Sequence, residues 1–207
     1  MAPRSSPLRR AAALAAAFVC VAAFAQAPER ERDEADRLMA ELMSGRAVGA
    51  PFRLRDAAGR LRGPADYHGK VLLVYFGFTF CPDVCPTDLA QIGKALRSLG
   101  PRANEVQPLF VTLDPARDTP RLLRRYVRSF HPSIVALTGS EEEVRRVARD
   151  FKVYSARIPD DRGGYTIAHA AFTFVLGRDG RYREFTPPGT PAGRIAAVIE
   201  EALDARP

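Results

Sequence analysis

The chain reads as an α/β protein with a mixed central sheet and helices on both faces, and three observations carry that reading. Apolar runs of strand length alternate with segments of helical period: "KVLLVYFGF" (70–78), "PTDLAQIGKALRSLG" (86–100) and "QPLFVTLD" (107–114). Strands joined by helices pair in parallel, with the helices covering the sheet. A late segment, "HAAFTFVLGRDGRYREF" (169–185), alternates apolar and polar residues on both sides of Arg178-Asp179-Gly180, which predicts a hairpin and an antiparallel edge. Finally, 207 residues with 46% hydrophobic composition suffice for one core and require no second large domain.

Taken in order, the first 27 residues carry Arg4, Arg9 and Arg10 and no acid, then an apolar run from Ala11 to Ala25 that ends in Ala25-Gln26-Ala27. This is the pattern of an export signal with a small-x-small cleavage site. The run is shorter than the roughly 20 residues a spanning helix needs, so cleavage after Ala27 is expected, with a retained, tilted membrane anchor as the alternative. Cys20 falls inside the run, and Val19 before it is a poor lipoprotein context. Residues 28–49, which open with "PERERDEADRLMAELM", are a charged linker or loosely attached helix, and the folded domain is expected over 50–207.

Within that domain, 70–78 is a buried strand, 86–100 a helix ended by Gly100, and 107–114 the next strand. Thr119 as N-cap with Pro120 in the first helical position opens a helix to about Phe130. "SIVALTG" (133–139) is a short strand, and Ser140 followed by Glu143 is a capping box for a helix to about Phe151. After the hairpin, Thr190-Pro191 caps a last helix to about Leu203. There is no internal repeat.

Loss of residues 1–27 lowers the formal net charge from +7 to +4 and leaves two of three cysteines. So mild a basic excess is no nucleic-acid signature. The basic residues of "RLLRRYVRSF" (121–130) and "VRRVARDFK" (144–152) fall at helical spacing and read as solvated faces, with an acidic partner surface as a weaker alternative. Two cysteines in an exported chain are too few for a disulfide scaffold, so the pair is one bridge or a site.

Those two, in "FGFTFCPDVCPTDL" (76–89), fall where a strand gives way to a helix: Cys81 in the connecting loop, Cys85 at the N-cap of a helix starting at Pro86. Open α/β sheets bind ligands at this place. Free backbone N–H groups and the positive helix end favour thiolate over thiol. Two thiolates form a soft chelate that selects Cu(I), and one added imidazole lets it hold Cu(II) as well. A structural zinc site wants four protein ligands, which the histidines could complete only by converging. His68 before Gly69 and His131 before Pro132 read as surface turn and helix-end residues. For His169, which begins the alternating segment after the hinge-like Gly163-Gly164, metal ligand and ordinary strand residue stand level on pattern alone. Asp83 reads as turn chemistry, Asp114 as a cap of "DPARD" or a residue orienting a ligand, and Arg117 with Asp118 as a local pair. A Cys81–Cys85 disulfide would close a tiny loop and add little stability. A thiol-disulfide oxidoreductase is the competing activity. Against it, the thioredoxin motif has two intervening residues rather than three, and the chain has no tryptophan.

From about Ala50 to the C-terminus the sequence resembles the SCO/SenC family of copper chaperones for cytochrome c oxidase assembly, a branch of the thioredoxin-like fold. The resemblance rests on "YFGFTFCPDVCPTDL" (75–89), "PLFVTLDPARDTP" (108–120), "VALTGSEEEVRRVARDFKVY" (135–154) and the histidine before "FTFVLGRDG", in that order. It implies copper, as Cu(I) or Cu(II), held by Cys81, Cys85 and His169, and delivery to the binuclear centre in the oxidase's copper-bearing subunit. It also implies a periplasmic location with an inner-membrane tether, and contact with another periplasmic copper chaperone or a thiol reductase. Under the competing activity, Cys81 and Cys85 are a redox pair that reduces the cysteines of the oxidase copper site. The sequence departs from the family at Phe80, where members commonly carry histidine, so no role of that histidine carries over.

Overall fold

The computed structural model describes residues 29–44, 48–160 and 163–205, so the signal expected over 1–27 and its Cys20 lie outside the described residues. Glu29–Met43 is helical (α1), and no helix among the described residues is long and apolar enough to cross a membrane. The chain divides into Met1–Arg37 and the compact unit Leu38–Pro207.

Among the described residues the unit contains nine strands: β1 (Leu54–Asp56), β2 (Leu61–Arg62), β3 (Val71–Gly77), β4 (Val106–Thr112), β5 (Val135–Thr138), β6 (Ser155–Pro159), β7 (Tyr165–His169), β8 (Thr173–Leu176) and β9 (Tyr182–Thr186). Seven form one sheet in the order β2-β1-β5-β4-β3-β8-β9, while β6 and β7 make a separate antiparallel pair. β3, β4 and β5 run parallel; β8 is antiparallel to β3, and β1 to β5. This is the mixed sheet expected.

All seven residues of β3 are buried, as an apolar parallel strand covered on both faces requires. Neighbours on a strand point to opposite faces. Tyr75 therefore stacks on Phe110, which meets Tyr126 of α3 (Pro120–Arg128), whereas Phe76 meets Phe151, just past α4 (Glu141–Asp150), and Phe174 of β8. Helices thus cover both faces. On the Tyr75 side, α2 (Val84–Ser98) packs against α5 (Ala192–Asp204).

Two helix starts follow their caps. Thr119 Oγ1 accepts from Leu122 N at 3.3 Å, and Ser140 and Glu143 make the reciprocal bonds of a capping box. Three expectations are corrected. First, α2 starts at Val84, so Cys85 is the second helical residue and not the N-cap. Pro86 fits inside the first turn because N–H groups there have no intrahelical acceptor. Second, Thr190 does not cap α5, since its hydroxyl bonds Pro187 O at 2.6 Å. Instead Gln91 of α2 accepts from Ala192 N at 3.1 Å. Third, His169 does not begin the late hairpin. It ends β7, whose partner β6 is part-exposed and lacks clean alternation, so the pair left little mark on the sequence.

Candidate metal centre

β3 runs straight into the cysteine loop. Leu113 N donates to Gly77 O at 2.7 Å, and beyond it Asp118 grips Thr79 through both its N–H and its hydroxyl while also accepting from Thr112 Oγ1. The loop thereby leaves the sheet on a fixed path. Gly77 is required there because a Cβ would stand 2.9 Å from Cys85 Sγ. Cys81 N donates to Phe78 O at 3.3 Å, and Cys81 Sγ accepts from Cys85 N at 3.4 Å. Cys81 sulfur thus takes a first-turn N–H of α2, a task Asp83 leaves undone from the N-cap position.

His169 comes from the opposite side, at the end of β7, with its ring edge-on to Phe78. Its Nε2 lies 3.5 Å from Cys85 Sγ, and its Nδ1 is buried with no hydrogen-bond partner. A histidine serving structure alone would spend its buried nitrogens on oxygen or nitrogen partners. His169 spends neither. Donor atoms of Cys81, Cys85 and His169 all lie within 4.8 Å of one another, and among the described residues this is the only such group of His, Cys, Asp or Glu. Cys85 is fully buried and Cys81 is 9% exposed, so the centre opens to solvent at Cys81. No swing about Gly163-Gly164 is needed, for His169 is already at the pair.

The two thiols are unequal. The Cys85 S–H bond to Cys81 is the largest influence on Cys81, followed by burial, which opposes it; His169 and the N–H groups of Asp83 and Cys85 help draw the Cys81 pKa down to about 4. Giving that same bond, and then burial, push Cys85 well above the ordinary thiol range. Of the two thiols, Cys81 is therefore the one whose ionisation is favoured and Cys85 the one that holds its proton. Alkylation of Cys81 by iodoacetamide in the reduced, metal-free protein is expected to be flat between about pH 6 and 8 and to fall only near pH 4. An ordinary thiol would instead react roughly tenfold faster per pH unit below about 8.5, and such a profile would contradict the shared-proton arrangement.

Sequence reasoning missed the carboxylate beneath the pair. Asp88 of α2 is buried, accepts from Tyr75 Oη at 3.2 Å and from Gly189 N at 2.8 Å, and is pushed up by burial. Its position three residues after Cys85, hence on the same helix face, was the available signal. Tyr75 touches both Asp88 and Cys85. His68 ends a 3-10 turn (Pro64–Tyr67), and His131 Nδ1 accepts from Ser133 N, so neither joins the centre. Asp114 is not a ligand either: it accepts from Tyr165 Oη at 2.8 Å and from Arg117 Nε. The Arg117–Asp118 pairing is corrected accordingly, since Arg117 bonds Asp114 while Asp118 is committed to Thr79 and Thr112.

Fold and site together define a thioredoxin-like α/β protein whose cysteine pair, joined by one imidazole, forms a soft three-donor centre. The SCO1/SenC family model matches residues 40–204, and the chain belongs to that family. Among its relatives, the SCO2-like protein of Rickettsia prowazekii is 40% identical over 137 residues, covering 65% of this chain and 67% of that protein. The mitochondrial SCO2 homolog of Bos taurus is 36% identical over 180 residues, covering 86% and 68% respectively. The solved structure of Bradyrhizobium japonicum ScoI with copper bound superposes with a TM-score of 0.70 at 36% identity, covering 76% of this chain and all of that one.

Proposed function

We propose that this protein is a copper metallochaperone that holds its cargo between Cys81, Cys85 and His169 and hands it to the binuclear copper centre of cytochrome c oxidase. The observation that carries the reading is the convergence within 4.8 Å of two sulfurs and an imidazole whose Nε2 faces Cys85 Sγ and whose buried Nδ1 has no hydrogen-bond partner. Bonds of about 2.3 Å to sulfur and 2.0 Å to nitrogen, as in zinc sites, place three donors around one ion roughly 4 Å apart, so small side-chain movements complete the shell. Two thiolates favour Cu(I), and the imidazole extends the set to Cu(II).

Hand-over follows from the inequality of the thiols. A thiolate of the recipient adds to the three-coordinate ion from the side where Cys81 is accessible, and one donor leaves for each ligand gained. Cys85 binds its proton the more tightly, so reprotonation of its sulfur favours release. Delivery to the oxidase's copper-bearing subunit agrees with family membership. In this reading residues 1–27 export the folded domain or tether it at the inner membrane's outer face, with the charged stretch ahead of the compact unit as a spacer, and another periplasmic copper chaperone or a thiol reductase supplies metal or electrons.

Equilibrium dialysis tests the ligand set. His169→Ala is expected to lose Cu(II) binding and its thiolate-to-copper absorption while keeping Cu(I) on the two sulfurs. Unchanged Cu(II) stoichiometry and absorption would overturn the assignment.

A second reading is supported by Cys81, which lies at the solvent edge of the site and has a lowered pKa, above the fully buried Cys85 with its raised one. Here the Cys81 thiolate attacks a disulfide of the oxidase subunit and expels one of its sulfurs as thiolate. Cys85 then gives its proton to the expelled thiolate, attacks Cys81 and releases the second sulfur, so the substrate gains the two electrons that the cysteine pair gives up on forming the Cys81–Cys85 disulfide. Insulin reduction at a thioredoxin-like rate, with no copper retained by the reduced protein, would favour this reading over the first.

A further inference from the structure

The two segments that carry the donor set have no common sheet. Cys81 and Cys85 follow β3 of the seven-stranded sheet, whereas His169 ends a two-stranded pair that stands apart from it. The position of His169 against the sulfurs therefore depends on what ties β6–β7 to the rest of the unit. Ile167 supplies a buried apolar contact, and Arg157 an ion pair with Glu141 in which both partners are nearly half exposed and which is therefore weak.

The stronger tie is Arg117. Its Nη1 donates to Tyr165 O at 2.9 Å, and its Nε to Asp114, whose other oxygen accepts from Tyr165 Oη. The guanidinium carbon lies 3.8 Å from the centroid of the Tyr165 ring and 5.0 Å from that of Phe80, the residue before Cys81. One planar cation thus touches the strand of His169 on one side and the cysteine loop on the other. Along β7, Tyr165, Ile167 and His169 share a face, so fixing Tyr165 sets the direction of His169. The same turn holds the loop a second time, through Asp118 on Thr79.

We infer that Arg117 is a positioning residue for His169, a bracket that sets the distance between the imidazole and the cysteine pair. The inference rests on the proposed copper reading for its consequence but not for its geometry. Lysine cannot replace arginine here, because a point charge offers neither the two-directional fork nor the stacking plane.

Two measurements test it. In reduced, metal-free protein, hydrogen exchange over 165–169 is expected to quicken about tenfold in both Arg117→Ala and Arg117→Lys, with β3 and β4 as protected as in wild type. Tyr165→Phe, which keeps the ring and loses only the bond to Asp114, is expected to quicken it less than about threefold. In copper titrations, Arg117→Ala is expected to lose about tenfold in Cu(II) affinity, with weakened nitrogen hyperfine structure in the electron paramagnetic resonance spectrum, while Cu(I) affinity stays within about twofold. Wild-type protection of β7 in Arg117→Ala or Arg117→Lys, or a loss of protection spread over the whole unit, would overturn the bracket. So would an equal loss of Cu(I) and Cu(II) affinity. Absence of copper binding in wild type would defeat the chaperone reading instead, and exchange over 165–169 would still decide the role of Arg117.

Discussion

Cys85→Ser is expected to fold and to lose copper. The side chain is fully buried against Gly77, where the Cβ of any other residue would meet its sulfur, and it touches Tyr75 and the His169 ring. Serine fits that space and can use its hydroxyl toward the same neighbours, so the midpoint of thermal unfolding should move by only a few degrees, about 1 kcal/mol in a domain of this size. Copper affinity should fall by more than about a hundredfold, since even losing a group that merely orients a ligand costs 10–100-fold and this change removes a ligand. A hydroxyl is a hard donor that stays protonated where a thiolate forms, and it cannot hold Cu(I). Titration with a competing Cu(I) chelator reads the loss directly. Retained wild-type affinity would mean that the buried sulfur is not a ligand.

Asp118→Ala is expected to produce the largest loss of stability. Three donors, Thr79 N–H, Thr79 Oγ1–H and Thr112 Oγ1–H, converge on this buried carboxylate, and truncation leaves them without an acceptor. At about 1–3 kcal/mol for each buried group left unsatisfied, and less than additively, the cost should be about 3 kcal/mol. The pH dependence has a definite sign. Burial is the largest influence on Asp118 and raises its pKa above the unfolded value of 3.8, while the threonine donors oppose it. A group held higher in the folded state binds its proton more tightly there, so its contribution is full below the unfolded pKa and is lost as pH rises through the folded one. The gap between wild type and Asp118→Ala should therefore widen as pH falls from 7 toward about 4. Urea unfolding at several pH values measures it. A gap that shrinks on acidification would show that Asp118 acts as a stabilised anion instead.

Most of the sheet was legible because its signals are local. The run from Val71 to Gly77, the Thr119-Pro120 start and the Ser140–Glu143 box each act within a few residues, and the structure keeps all of them. The two cysteines were legible for the same reason. What stayed hidden depends on contacts between distant segments. Asp118 meets Thr79 across 39 positions and Tyr165 meets Asp114 across 51, and no periodicity encodes such pairs. The β6–β7 pair escaped because its strands lack a strict alternation of buried and exposed residues. His169 was reachable as a candidate by residue type, but its direction is set by that unrecognised pair. Cys85 was misplaced by two helical positions because the bias of a pre-proline residue away from helix yielded to the first turn of α2.

X-ray absorption at the copper edge of the loaded protein bears most directly on the central claim, that Cys81, Cys85 and His169 close around one ion. The expected shell is two sulfurs at about 2.3 Å and one imidazole nitrogen at about 2.0 Å, with the nitrogen lost in His169→Ala. A first shell with fewer than two sulfurs, or one whose imidazole scattering persists in His169→Ala, would contradict it.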